Sequence, residues 1–330
     1  SVILGGWPAI GVCQLGEYTP NVFRFIVSLN PAAGPELWSM STDDLGPDAG
    51  SLISTPALPS TGDFVSCIAP IDRGRAIYMQ RFVDQYEDPE LRLIDDWDTV
   101  SVIGHLSDID SGWLASPAGY GNWDQFTRCG TSSIMYQVHH SDAVGPRYFL
   151  SEDDGATWDA VAHPTPPGTY NDYGLLNGYF SEPMQAIGTG CVVTKLQDRT
   201  GAHPGRVYFF YTLDYGATWT PMSTDGLPTT GSIPGTARTD FHLIVLRPFI
   251  NGADKGEYAL ISADVTDQRT TLYVTTDLSG TWGYRGEVVS DAGGWFSSFN
   301  YSGEAIGSIG GVGGFAPIHP AFPALLEYPA

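Results

Sequence analysis

The sequence has almost no lysine. Lys195 and Lys255 are the only two, and the basic residues together number 15 against 37 acidic ones, a net charge of −22. Such a surface would repel a nucleic-acid backbone rather than neutralise it, which excludes nucleic acid as a partner. Long apolar runs are also missing: no stretch approaches the roughly 18 residues of a membrane helix, so no membrane insertion is expected. The opening residues 1–6 carry neither a basic region nor a long apolar core and do not read as an uncleaved signal peptide. Cysteine is scarce too. Four cysteines in 330 residues are too few for a disulfide scaffold, and Cys13, Cys67, Cys129 and Cys191 lack the close pairing of a metal site. No metal and no cofactor is expected.

Glycine and proline are what the chain has in excess. Its 40 Gly and 24 Pro make up about 19% of the residues, against an ordinary ~12%. With 42% hydrophobic and 12% aromatic residues the chain has ample material for a core, which excludes disorder. Many short elements joined by many turns are therefore expected, in a single all-β domain over residues 1–330.

A repeat organises those elements. Tyr148-Phe-Leu-Ser-Glu-Asp-Asp-Gly-Ala-Thr-Trp158 matches Phe209-Phe-Tyr-Thr-Leu-Asp-Tyr-Gly-Ala-Thr-Trp219, and a third copy ends Thr275-Thr-Asp-Leu-Ser-Gly-Thr-Trp282. The tryptophans recur after 61 and 63 residues. Each copy follows an apolar, aromatic run of strand type, so each is read as the turn of a β-hairpin. Asp153, Asp214 and Asp277 are expected to accept backbone N–H bonds within those turns, helped by the Ser/Thr hydroxyl two residues earlier. Gly155 and Gly216 supply positive φ, and the tryptophans cover the hairpin's apolar side.

These residues resemble the Asp-box, or BNR repeat, of sialidases and related β-propellers. The resemblance implies a propeller of four-stranded antiparallel blades, with the boxed Asp residues structural and facing away from the active site. Third strands are then expected near Phe23, Arg75, Arg147, Val207, Thr271 and Ala324, which makes six blades. Asn30 stands for the Asp of a stretched first box, and the second blade has lost its box. Inner strands are read at Ala9–Cys13, Phe64–Cys67, Phe126–Cys129, Ala186–Cys191, Phe241–Val245 and Ala305–Ile309, with the cysteines as small buried hydrophobes. Val2–Leu4 is expected to complete the sixth blade and close the ring.

Long loops are expected on the face opposite the boxes. Residues 98–124, 160–184 and 287–303 set aromatic rings beside carboxylates, a composition typical of sugar-binding surfaces, where rings cover C–H faces and acids accept hydroxyl hydrogen bonds. Trp113, Tyr120, Trp123, Tyr173, Tyr179 and Trp295 are the candidate ligand-binding residues; packing of the loops onto the rim is the alternative role for each. Asp108-Ile-Asp-Ser-Gly112 lacks the further oxygen ligands of a calcium loop and is read as a solvated acidic turn. His139-His140 is read as a surface loop, and Asn300-Tyr-Ser302 is a formal glycosylation sequon.

The resemblance also implies a possible hydrolytic site. Sialidases use a Tyr activated by a Glu as nucleophile, an Asp as acid/base and three arginines to hold the substrate carboxylate. Tyr301, Glu182, Asp63 and Arg238 occupy matching places before inner strands, and a general base lowers the cost of forming a phenolate. The chain departs from the family at its start, however. Residues 1–23 contain no arginine, Arg24 falls inside an expected strand, and Arg128 and Arg199 match no motif. The expected function is therefore a non-enzymatic binding or assembly module for a glycan or protein partner, in an extracellular or virion-associated setting of phage-tail type. A sialidase-type exo-glycoside hydrolase and a purely structural subunit are the alternatives.

Overall fold

The structure, a computed structural model, describes residues 9–19, 22–29, 36–41, 51–52, 64–72, 74–82, 87–97, 99–113, 120–140, 146–165, 173–174, 184–198, 207–227, 239–247, 257–264, 269–289, 295–297, 308–311 and 314–316. The chain divides into two compact units, Ser1–Asp142 with Arg147–Val161, and Ala143–Pro146 with Ala162–Ala330. Among the described residues, all elements but one helical turn are strands, and almost all of them pair antiparallel with their neighbours in sequence.

The first unit holds three four-stranded sheets. Sheet one runs β1 (Ala9–Thr19), β2 (Val22–Leu29), β3 (Glu36–Ser41), β4 (Ser51–Leu52). Sheet two runs β5 (Phe64–Asp72), β6 (Arg75–Arg81), β7 (Glu90–Asp95), β8 (Thr99–His105), and the short helix α1 (Leu106–Ile109) follows it. Sheet three runs β9 (Tyr120–Arg128), β10 (Ile134–His140), β11 (Arg147–Ser151), β12 (Asp159–Ala160). The first strands of these sheets adjoin, β1 beside β5 and β5 beside β9.

Sheet two shows how the packing arises from alternation. Side chains along β6 point to opposite faces in turn. Ile77 and Met79 join Cys67, Ala69, Leu91, Phe126, Ile134, Tyr136 and Phe149 in a core shared with sheet three. Ala76 and Tyr78 join Ile68 and Ile94 on the other face, with Trp97 and Val100 against them. A strand buried on both faces reads as an unbroken apolar run, and β6 is buried along nearly all its length. The outer strand β8 is the opposite case, mostly exposed.

The second unit repeats the plan. Sheet four contains β13 (Tyr173–Gly174), β14 (Met184–Gly188), β15 (Cys191–Asp198), β16 (Val207–Thr212) and β17 (Thr220–Pro221), with β13 and β14 both pairing with β15. Sheet five runs β18 (Thr239–Arg247), β19 (Glu257–Asp264), β20 (Arg269–Thr275), β21 (Gly283–Val289). Sheet six is described as three strands, β22 (Trp295–Ser297), β23 (Ser308–Gly311) and β24 (Gly314–Ala316). Ile187, Cys191, Val193, Phe209, Met222 and Leu227 of sheet four and its following segment pack with Tyr258, Tyr273, Leu278 and Trp282 of sheet five.

Several sequence expectations need correction. Phe23 and Arg75 lie in second strands, and the third strands of those sheets are β3 and β7. Without a box to set the phase, the shared apolar character of second and third strands hides which is which. The stretched first box, with Asn30, therefore falls between the second and third strands rather than the third and fourth, and its own residues 30–35 lie outside the described residues. Ala186–Cys191 is not one strand: it bends at Thr189-Gly190, and Cys191 opens β15. Gly190 has φ +70° there, and a Cβ on it would meet the Tyr215 ring at 2.7 Å, so both conformation and space call for glycine. Ile309 falls in the middle strand β23 of its sheet. Val2–Leu4 and Ala324–Tyr328 lie outside the described residues.

Sheets two, three and four also share a tie that the sequence reading missed. A left-handed residue in the turn between third and fourth strands donates its N–H to the hairpin between the first and second strands. The bonds are Trp97 to Gly74 O (2.9 Å), Asp154 to Ser132 O (3.0 Å) and Tyr215 to Gly190 O (2.8 Å), at φ of 74°, 58° and 56°. Sheet two makes this tie with Asp95-Asp96-Trp97, where no box is present.

Candidate functional site

The repeated Asp residues are fully occupied by their turns in the first two copies. Asp153 accepts from the Thr157 amide (2.8 Å) and hydroxyl (2.7 Å), while the Ser151 hydroxyl donates to it at 2.9 Å and accepts from the Gly155 amide. Asp214 repeats the set with Thr218 (2.9 and 2.6 Å) and Thr212 (2.7 Å). Gly155 and Gly216 have φ of +92° and +84°. In the third copy Ser279 replaces that glycine, and its own amide (3.0 Å) and hydroxyl (2.6 Å) donate to Asp277. The tryptophans differ in what their indole N–H reaches. Trp158 donates to Gly155 O of its own turn, whereas Trp219 reaches Ala162 O (2.8 Å) and Trp282 reaches Ser223 O (2.9 Å), both on the segment leaving the preceding sheet.

These bonds set the charge state of the turns. Burial alone would raise the Asp153 and Asp214 carboxyls, but the hydrogen bonds from Thr157 and Ser151, and from Thr218 and Thr212, outweigh it and hold both below the ordinary 3.8. A carboxyl depressed in the folded chain stabilises it above the ordinary value and loses that contribution as pH falls through the depressed one. The Asp153→Asn/Asp214→Asn variant is accordingly expected to be less stable than wild type at neutral pH, with the gap closing below about pH 4. Urea unfolding across an acid series measures this; a gap constant at every pH would contradict the linkage.

The candidate ligand-binding aromatics separate into three groups. Trp113 is only 3% exposed and packs in the first unit's core with Leu106 and Ile109, so its ring is a packing element rather than an open platform. Tyr120 and Trp123 lie in β9, Tyr173 in β13 and Trp295 in β22. Tyr179 lies outside the described residues, as do the hydrolytic candidates Asp63, Glu182, Arg238 and Tyr301. The stretch expected as a loop over 98–124 instead contains β8 and α1. Its acidic turn is held by protein groups: Asp108 accepts the His105 amide (2.8 Å), and Asp110 accepts the Gly112 amide (2.9 Å) and both oxygens' bonds from Arg147 (3.0 and 2.9 Å).

Cys67, Cys129 and Cys191 are buried, and burial, with Asp214 nearby, pushes the Cys191 thiol up to about 11. At neutral pH that sulfur is a protonated, unreactive group.

A buried polar cluster between sheets two and three is the feature that sequence reasoning missed. Arg81 Nη2 donates to Asp124 Oδ2 at 3.1 Å, with side chains 3% and 0% exposed. Tyr136 Oη donates to the same oxygen at 2.7 Å. Burial, then the Asp124 charge, holds the Tyr136 phenol well above 10, so it stays a donor. The signal was present in the alternation. Arg81 is in phase with Ile77 and Met79, and Asp124 with Phe126, which points two charged groups into a core.

The other arginines with described side chains in this unit are also engaged. Arg75 binds Asp72 (2.5 Å) and reaches Asp154 (3.4 Å), Arg92 binds Glu90, Arg147 binds Asp110, and Arg128 donates to the Gly130 and Thr131 carbonyls.

No family model and no curated protein matches the chain. Among solved structures, the Hadza microbial sialidase Hz136 aligns with a TM-score of 0.49 at 14% identity, over 87% of this chain and 60% of that one. YCF48 from Cyanidioschyzon merolae gives 0.46 at 12% identity, over 93% of this chain and 95% of that one. A prolyl endopeptidase gives 0.48 at 9% identity, over 95% of this chain and 45% of the endopeptidase. The chain thus spans 60% of the sialidase's length and less than half of the endopeptidase's.

Proposed function

We propose that the chain is one Asp-box β-propeller of six blades, closed by Val2–Leu4, and that it works as a binding or assembly module. Its loop-rich face, opposite the Asp turns, receives a glycan or protein partner through aromatic rings beside carboxylates. An extracellular or virion-associated setting suits such a rigid, acidic scaffold. Four-stranded meanders with adjoining first strands and a recurrent turn support the blade reading.

The observation that carries the functional reading is the commitment of the first unit's arginines whose side chains are described. A sialidase needs three guanidinium groups free to converge on a substrate carboxylate. In the first unit Arg75, Arg81, Arg92, Arg128 and Arg147 each end on a carboxylate or carbonyl of the scaffold itself. Withdrawing one to a ligand would strand its partner, most expensively at Asp124, whose side chain is fully buried.

A glycan array tests the proposal. Wild type is expected to retain a defined set of neutral or acidic glycans, and Trp123→Ala or Trp295→Ala to weaken retention about tenfold, equivalent to ~1.4 kcal/mol. Retention that survives both substitutions would place the ligand elsewhere. An empty array, with a protein captured by the same face, would leave only the protein-partner branch.

A further inference from the structure

A long, uncharged sheet edge invites pairing with another chain, and folded proteins guard against this with short or charged outer strands. Most outer strands among the described residues are guarded in this way. β4, β12 and β17 have two residues each. β21 is longer, but it carries Arg285 and Glu287 together with Gly283 and Gly286. β8 has neither guard. It runs for seven residues, Thr99–His105, without Asp, Glu, Lys or Arg, and among the described residues it pairs with β7 alone. Its one irregularity is a bulge: Gly104 pairs with Leu91 and Val102 with Arg92, which leaves Ile103 as the extra residue. Thr99–Val102 remains a regular run. Two successive apolar side chains stand in solvent beside it, Val102 at 44% and Ile103 at 42% exposure.

Charge decides what fits this edge. No Lys or Arg falls between Arg92 and Arg128, whereas Asp95, Asp96, Asp98, Asp108, Asp110 and Asp124 all do. Asp95, opposite Thr99, and Asp96 are exposed at the start of β8. Beyond its end Asp108 is exposed and accepts the His105 amide, and Asp88 accepts the Ser107 amide. A second copy of β8, laid alongside in either direction, would set acid against acid at both ends. A strand with basic residues at its ends meets those carboxylates instead. We propose that β8 is a β-augmentation site for an extended segment of a partner protein, with a β-branched apolar centre and Lys or Arg at each end. Backbone hydrogen bonds along Thr99–Val102 hold the segment, Val102 and Ile103 contact its centre, and the flanking acids select its ends. This surface needs no glycan and none of the candidate aromatic residues, so it stands or falls apart from the glycan reading.

The probe is a fluorescent peptide, Lys-Lys-Thr-Val-Thr-Val-Thr-Lys-Lys, compared with the same centre flanked by Glu. Anisotropy is measured with the full chain as wild type and as Val102→Ser/Ile103→Ser, which removes the apolar contacts without changing charge. Hydrogen exchange of wild type is followed with and without saturating peptide. The Lys-flanked peptide is expected to bind about tenfold tighter than the Glu-flanked one, and the double variant to weaken it by about tenfold. The outward amides of Thr99–Val102 are expected to exchange about tenfold more slowly in the complex. No binding, equal binding of the two peptides, or binding without protection of Thr99–Val102 would each overturn the proposal. A wild-type dimer in sedimentation that the double variant abolishes would also overturn it, by making a second copy the occupant. Both substituted side chains are exposed; should the variant nevertheless fail to fold, the wild-type exchange and the two peptides decide.

Discussion

Trp282→Ala is expected to destabilise the chain by about 3–5 kcal/mol, the ordinary range for emptying a buried tryptophan site. Trp282 is 2% exposed within the cluster of Met222, Leu227, Tyr258, Tyr273 and Leu278. Its ring nitrogen holds Ser223 O at 2.9 Å, and its amide holds Asp225 O at 2.8 Å. The segment following sheet four is thus fastened to the last boxed turn through Trp282, together with the Ser223 amide bond to Leu278 O (2.8 Å). Gly226 sits so close to the Trp282 carbonyl that a Cβ has no room. Trp219 occupies the same motif position but is only partly buried, so Trp219→Ala should cost less. Urea unfolding of the two variants measures the difference, and equal losses would show that motif position rather than burial sets the cost.

The second large effect concerns Arg81 and Asp124. Asp124→Leu or Arg81→Met alone is expected to cost about 3–5 kcal/mol, because each leaves an uncompensated charge in the core. The double variant should recover most of that loss, since two apolar groups of similar volume remove both desolvation penalties. A double variant as unstable as the sum of the singles would contradict this account of the pair. Chemical denaturation of all four proteins completes the cycle.

The legibility of the fold followed the turns. Where Ser/Thr-x-Asp-x-Gly-x-Thr-Trp is intact, the sequence located the third strands correctly at Arg147 and Val207, and it found the β20 hairpin although Ser279 replaces the glycine. The motif is local, and its hydrogen bonds close within a few residues. Where the box is missing, as at Phe23 and Arg75, nothing local sets the phase, and the apolar runs of the second strands read as third strands. Sheet two nevertheless keeps a box-like tie through Trp97, made by left-handed backbone rather than by any side chain. Backbone conformation of that kind leaves no letter pattern to read.

The candidate site was less legible for a different reason. Trp113 looked like a platform because it sits among acids and glycine, yet three-dimensional packing with Ile109 and Leu106 buries it. Arg81 and Asp124 are 43 residues apart, and only the adjacency of β5 and β9 brings their strands together. Asp108 and Asp110 were read as a solvated turn. The structure supplies each with protein partners, and Asp110 is buried.

The most direct measurement is turnover of a fluorogenic sialoside by wild type and by Tyr301→Phe. The binding-module account predicts no turnover above buffer for either protein, at any pH where the chain is folded. Turnover by wild type that Tyr301→Phe abolishes would contradict it and make the chain a hydrolase.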